Sequence, residues 1–284
     1  GSNVGVATIT ATYLGSSANA TLTVTAAVVT KITVTPATAS IAKGVTRQFT
    51  ATATLSDATT QDATSAATWT ATDVTGTGVA SVDGMGLATG TNVGVATIRA
   101  AYLGFNGTAT LTVTAAVVNK VTVSPSAPSI ARGTGEQFTA TATLSDNTTQ
   151  DVTDAATWTA VDITGTNVAS IDNKGLATGT NVGTATVRAT YLGFSGTVTL
   201  TVTAAVVTKI TLDPAFASIA KGTAQQFTAM ATLSDTTTQD VTNLAVWTAA
   251  DVMGTNVTSV DNVGLAAGSN VGVATITATY LGSS

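Results

Sequence analysis

The sequence predicts an all-β protein built of tandem antiparallel β-sandwiches, and three observations predict it. Trp69, Trp158 and Trp247 recur every 89 residues, as do Lys31, Lys120 and Lys209 and the tyrosines Tyr13, Tyr102, Tyr191 and Tyr280. That period is too long for a solenoid coil and fits one small domain per repeat. Apolar residues alternate strictly with threonines, a period of two that marks half-buried strands. No window sustains apolar spacings of three and four over ten residues, so almost no helix is expected.

One repeat is easiest to follow from Val28. Lys31-Ile-Thr-Val-Thr alternates and stops at Pro36, as an edge strand does. Ser40 to Gly44 is a short second piece closed by a glycine. Phe49, Ala51, Ala53 and Leu55 share one face, with Thr50, Thr52 and Thr54 opposite. Asp57-Ala-Thr-Thr reads as a turn. Trp69 sits mid-strand between Ala67 and Ala71, the large-beside-small pattern that fills a gap of about 10 Å between sheets. Residues 74–78 form a loop, and Asp83-Gly-Met-Gly a further turn. Ala96, Ile98, Ala100 and Tyr102 then alternate, and a Gly104–Gly107 turn leads into Ala109, Leu111 and Val113. Seven to nine such strands in under 90 residues describe an immunoglobulin-like two-sheet sandwich.

The ordered phrases KITVTP, SIAKG, QFTATATLSD, TTQD, ATWT, VASVD, GLATG, GVATIRA and TLTVTA resemble the bacterial immunoglobulin-like domain, group 2. The likeness runs through every repeat, with Val74–Gly78 longer than the family's usual link. The resemblance implies an extracellular module strung in tandem on bacterial surface adhesins, invasin-like proteins or phage virion proteins, and no catalytic residues.

The expected organisation is the closing part of one repeat at residues 1–27, repeats at 28–116 and 117–205, and a repeat at 206–284 without its last strand. Residues 1–17 and 268–284 are the same seventeen letters. We therefore expect a window on a longer array, with residues 19–27 an orphaned copy of the strand that the last repeat lacks. Between repeats, Thr-Ala-Ala-Val-Val carries no Gly, Pro or Ser run, unlike a flexible tether. A stiff junction follows, with Val117, Val118, Val206 and Val207 partly buried between neighbours. The expected aromatic core is Phe49, Trp69 and Tyr102, then Phe138, Trp158 and Tyr191, then Phe227, Trp247 and Tyr280.

Composition narrows the chemistry. A net charge of −5 with scattered Lys and Arg argues against nucleic acid as a partner. No apolar run is long enough for a membrane helix. Cysteine and histidine are both absent, so no disulfide braces the domains and the commonest general base and metal ligand are missing. No cofactor is expected, and no enzyme: paired aspartates such as Asp57 and Asp62 lack the aromatic cleft a glycosidase needs.

Asp57, Asp62, Asp146, Asp151, Asp235 and Asp240 are the calcium candidates, since carboxylates in domain-end loops suit that ion. Their spacing matches no EF-hand, and capping of the turns they flank is the reading the spacing favours. Threonine rows such as Thr110, Thr112 and Thr114 resemble the arrays of some ice-binding proteins, but a sheet twist of about 20–25° per strand spoils a flat lattice match. The expected function is an extracellular structural protein, a stiff stalk or filament of a bacterial surface or virion. The alternative is an adhesin module gripping a carbohydrate or host surface protein through domain-end loops. The partner most expected is the protein itself, through neighbouring repeats or strand donation.

Overall fold

The computed structural model describes residues 3–283, and no described residue is helical. The chain divides into two compact units, Gly1–Asn119 with Leu144–Thr148, and Lys120–Thr143 with Thr149–Ser284.

Unit 1 opens with a hairpin, Gly5–Tyr13 against Ser16–Val24, in register from Gly5↔Val24 to Tyr13↔Ser16. It then forms a sandwich. Edge strand Val29–Thr35 pairs with Thr50–Leu55, which pairs with Thr60–Asp62. The facing sheet runs Thr38–Ala42, Phe105–Thr114, Gly94–Tyr102, Thr68–Thr75. A small third sheet joins Thr46–Gln48, Leu87–Gly90 and Ala80–Val82. Alternation sets the core: Ile32, Val34, Ala51 and Ala53 turn inward against Ala96, Ile98, Leu111 and Val113, all buried, while the intervening threonines face out or lie at the margin. Each strand thus buries one apolar row, as a two-layer sandwich requires.

Unit 2 repeats the plan. Its first sandwich has the four-strand order Ser129–Ala131, Phe194–Thr203, Gly183–Tyr191, Thr157–Thr164. In the next, the corresponding sheet holds Val246–Met253 and Val273–Thr279 among the described residues.

Three details depart from the sequence reading. One pair in the sandwich is parallel, Thr38–Ala42 beside the end of Phe105–Thr114, because the chain leaves the first sheet at Pro36 and crosses to the second. The hairpin turn is Leu103-Gly104, not Gly104–Gly107, and Phe105 already belongs to the last strand. Both turn residues take positive φ, 47° and 87°, the primed geometry whose twist matches paired strands. The loop after Asp73 is also shorter than residues 74–78, because Val74 and Thr75 still belong to strand Thr68–Thr75, and the Asp73 carboxylate accepts the Gly78 and Val79 amides at 2.7 and 2.9 Å.

The aromatic positions divide. Phe49, Phe138, Phe227, Trp69, Trp158 and Trp247 are buried, and each indole N–H donates to a backbone carbonyl five residues earlier, Thr64, Thr153 or Thr242. Tyr102, Tyr191 and Tyr280 are only half-buried, because Tyr102 and Tyr191 sit at the hairpin ends of their strands and Tyr280 just past the end of Val273–Thr279.

Candidate inter-repeat interface

Two turns that recur in every repeat build the interface. One is Ala-Lys/Arg-Gly, at Ala131-Arg132-Gly133 in unit 2. There Thr134 N–H donates to Ala131 O at 3.0 Å, and Gly133 takes a φ of 85°. The other is Leu-Ser-Asp-x-Thr, at 233–237, closed by Leu233 N–H to Thr237 O at 2.8 Å. The Asp235 carboxylate caps its own turn, with Oδ1 accepting the Thr237 amide at 3.1 Å and the Thr237 hydroxyl at 2.6 Å. That leaves Oδ2 aimed outward.

Oδ2 accepts Arg132 Nε at 2.6 Å, and Arg132 Nη2 approaches the same oxygen. Beside this ion pair, Ser234 Oγ donates to Arg132 O at 2.5 Å and accepts the Val206 amide at 3.1 Å. Ser234 N–H donates to Val206 O at 2.7 Å. One serine therefore joins both turns and the connecting segment. The Asp235 side chain is 9% exposed and that of Arg132 39%. Gly133 sits so close to the Ser234 carbonyl and the Asp235 backbone that a Cβ there would overlap them.

Unit 1 contains the same arrangement. Lys43 Nζ lies 3.2 Å from Asp146 Oδ2, Ser145 Oγ donates to Lys43 O at 2.5 Å, and the Val117 amide donates to Ser145 Oγ at 3.1 Å. Lysine offers a point charge where arginine offers a fork, so the pair in unit 2 has the more directional geometry.

The Thr237 hydroxyl, then the Thr237 amide, then the Arg132 guanidinium hold the Asp235 carboxyl down at about 2, from an ordinary 3.8. Asp146 is lowered by the matching Thr148 contacts and by Lys43. A carboxyl depressed on folding contributes stability that is full above its ordinary value and lost as pH falls through the folded one. The interface in unit 2 should therefore hold above about pH 4 and loosen towards pH 2. A carboxyl-carbon NMR titration checks this: Thr237→Val should raise the Asp235 midpoint more than Arg132→Gln does.

The six calcium candidates are turn caps. Asp57, Asp146 and Asp235 each bind the threonine two residues on through its amide and hydroxyl, as do Asp151 and Asp240, and Asp62 accepts the Thr64 amide at 2.8 Å. Among the described residues no three acidic side chains gather as a metal-binding group.

The junction valines need correcting. Val118 is buried and Val207 half-buried, but Val117 and Val206 are 51% and 52% exposed. Alternation turns only the second valine of each pair inward, and Val117 and Val206 serve through their main chains, which the serines hold. The cations at Lys43 and Arg132 were missed by sequence reasoning. Their signal was present: the Ala-Lys/Arg-Gly and Leu-Ser-Asp phrases keep a fixed 89-residue offset in all three repeats.

Sandwiches strung on one chain, joined turn to turn, define a tandem immunoglobulin-like protein. The chain belongs to the bacterial Ig-like domain (group 2) family, which residues 28–114 and 117–204 match. It is 38% identical over 280 residues to Ice-binding protein 1 of Shewanella frigidimarina (strain NCIMB 400), an alignment covering 97% of this chain and 30% of that protein. The chain thus spans about 30% of this relative's length. Among solved structures, the S-layer protein SbsC aligns with a TM-score of 0.29 at 16% identity, over 92% of this chain and 38% of that one. The insect immune protein hemolin aligns with a TM-score of 0.33 at 12% identity, over 70% and 56% of the two chains.

Proposed function

We propose that this chain is a non-catalytic spacer, a stiff run of Ig-like repeats within a larger secreted or surface-attached bacterial protein. The observation that supports it best is the Arg132–Asp235–Ser234 interlock, with its Lys43–Asp146–Ser145 counterpart. A junction braced by an ion pair and a shared serine resists bending in a way a Gly/Ser tether does not. The repeats supply reach, and the partner-binding chemistry belongs elsewhere in the larger protein. Small-angle scattering from the purified chain tests this: lengthwise extension on the order of one strand-plus-loop length per repeat is expected, and a compact or freely jointed profile would sink it.

A second reading has one observation in its favour, the similarity to a protein named for ice binding, together with exposed threonines such as Thr108, Thr110 and Thr114. In that reading the threonine rows themselves meet ice. Thermal hysteresis of this chain separates the two: the spacer reading expects none, and a measurable freezing-point gap would transfer the activity to these repeats.

A further inference from the structure

Tension along the chain meets one pair of strands lengthwise. In the sandwich of unit 1 the chain enters through Val29–Thr35, crosses at Pro36, and lays Thr38–Ala42 parallel to the end of Phe105–Thr114, the strand by which it leaves. A backward pull that strips Val29–Thr35 from its sheet reaches Thr38, and the forward pull acts on Thr114. Opposite pulls at opposite ends of two parallel strands slide one along the other, so their cross-strand bonds break together. A hairpin opened from its free ends loses its bonds one at a time.

The ladder of this pair can be followed bond by bond. Its register runs from Thr38↔Thr110 to Ala42↔Thr114. The Thr110 amide donates to Ala37 O and the Lys43 amide to Thr114 O, both at 2.9 Å. In a parallel pair the N–H and C=O of one residue point to the same side, and alternate residues face the partner. Ala37, Ala39, Ile41 and Lys43 therefore face the departing strand, while Thr38, Ser40 and Ala42 turn their amides away. The Ala39 and Ile41 amides donate into the pair.

The first sandwich of unit 2 departs from this at one position. Pro128 stands 89 residues after Ala39, and proline has no N–H. Pairing there begins only at Ser129↔Thr201 and ends at Ala131↔Thr203. The flanking bonds remain, from the Thr201 amide to Pro128 O and from the Arg132 amide to Thr203 O, both at 3.0 Å. The packing matches as well. Ile41 and Ile130 are buried alike, as are Val113 and Val202, and the Thr114 and Thr203 hydroxyls each donate to the isoleucine carbonyl at 3.3 Å.

We propose that this parallel pair is where each sandwich resists tension, and that Pro128 makes the first sandwich of unit 2 yield before that of unit 1. The chain then lengthens in steps, one sandwich releasing slack while the other holds. That role rests on the spacer reading, since a tether held at both ends is loaded in this way. The stiffness of the junctions plays no part in it.

Single-molecule pulling of the full chain, through handles at its two ends, tests this. Forced unfolding reads the unfolding rate and not equilibrium stability. Each of the two sandwiches should release about 300 Å of extended chain for an 89-residue repeat, less its folded length. Two such steps at distinct forces are expected. Pro128→Ala should raise the lower force to meet the higher, and Ala39→Pro should drop the higher force to the lower. Ser40→Pro should leave both steps in place, because its ring turns away from the pair, and so separates the lost bond from a general effect of proline. Steps of equal force in the parent chain overturn the proposed order of yielding. Forces unmoved by Pro128→Ala and Ala39→Pro overturn the parallel pair as the point of resistance. Should Ala39→Pro prevent folding and erase one step, Pro128→Ala decides alone, since it adds a donor that the sandwich of unit 1 already has. A freely jointed scattering profile would remove the stiff spacer and leave these steps where they are.

Discussion

Trp158→Ala should destabilise its sandwich by about 3–5 kcal/mol, the cost of deleting a large buried aromatic from a packed core. Trp158 is 8% exposed, tilted against Phe138 with ring centroids 6.4 Å apart, and its indole N–H donates to Thr153 O at 2.9 Å. Its cross-strand partner is the small, buried Ala189, and an alanine cannot close over the void. A domain of this size has a margin of only about 5–15 kcal/mol, and here no disulfide supplements it. Calorimetry of the full chain should show one transition moved to much lower temperature. Trp158→Phe separates the contributions: it retains most of the volume but leaves the Thr153 carbonyl without its donor, at about 1–3 kcal/mol. A loss below about 1 kcal/mol for the alanine variant would mean that the core closes without its indole.

Gly133→Ala should open the interface in unit 2. An L-residue in the left-handed region costs roughly 1–2 kcal/mol. Here the added Cβ also overlaps the Ser234 and Asp235 backbone, which is not the movable end of a side chain. Relief requires the two turns to part, which withdraws Arg132 from Asp235 and Ser234 Oγ from Arg132 O. Gly222 supplies the internal control, since it has the same φ of about 85° and nothing within 4 Å of its would-be Cβ. Gly222→Ala should therefore show the conformational cost alone. Because the chain has no cysteine, spin labels on Lys174→Cys and Ser259→Cys report the geometry cleanly, both positions being exposed. A narrow distance distribution is expected for the parent and a broad one for Gly133→Ala. An equally narrow distribution in the variant would show that the turns do not control the junction.

Much of the fold was legible because its signals are local. Period-two alternation at Ala96, Ile98 and Ala100 states which side chains go inward whatever the partner strand is, and Pro36 states where an edge strand stops. The turn at Leu103-Gly104 was misplaced because leucine rarely accepts positive φ, so Gly104 and Gly107 looked like the turn's glycines. Gly107 has another task, the close approach to Ile32 O, which sequence alone does not distinguish from a turn.

The interface was less legible. Asp57, Asp146 and Asp235 have the same local sequence and the same threonine caps, so spacing assigns them one role. The structure adds a second role that spacing does not show, because Asp146 and Asp235 also meet Lys43 and Arg132 of the preceding repeat.

The sequence by itself determined the repeat length, the all-β class, the inward rows and the turn caps, since each depends on residues a few positions apart. Only the tertiary structure decided that Arg132 reaches Asp235 across 103 residues, that Val206 acts through its main chain, and that Thr38–Ala42 lies parallel to Phe105–Thr114. Those outcomes depend on where whole sandwiches come to rest, and a periodicity fixes the face of a strand without fixing what that face will meet.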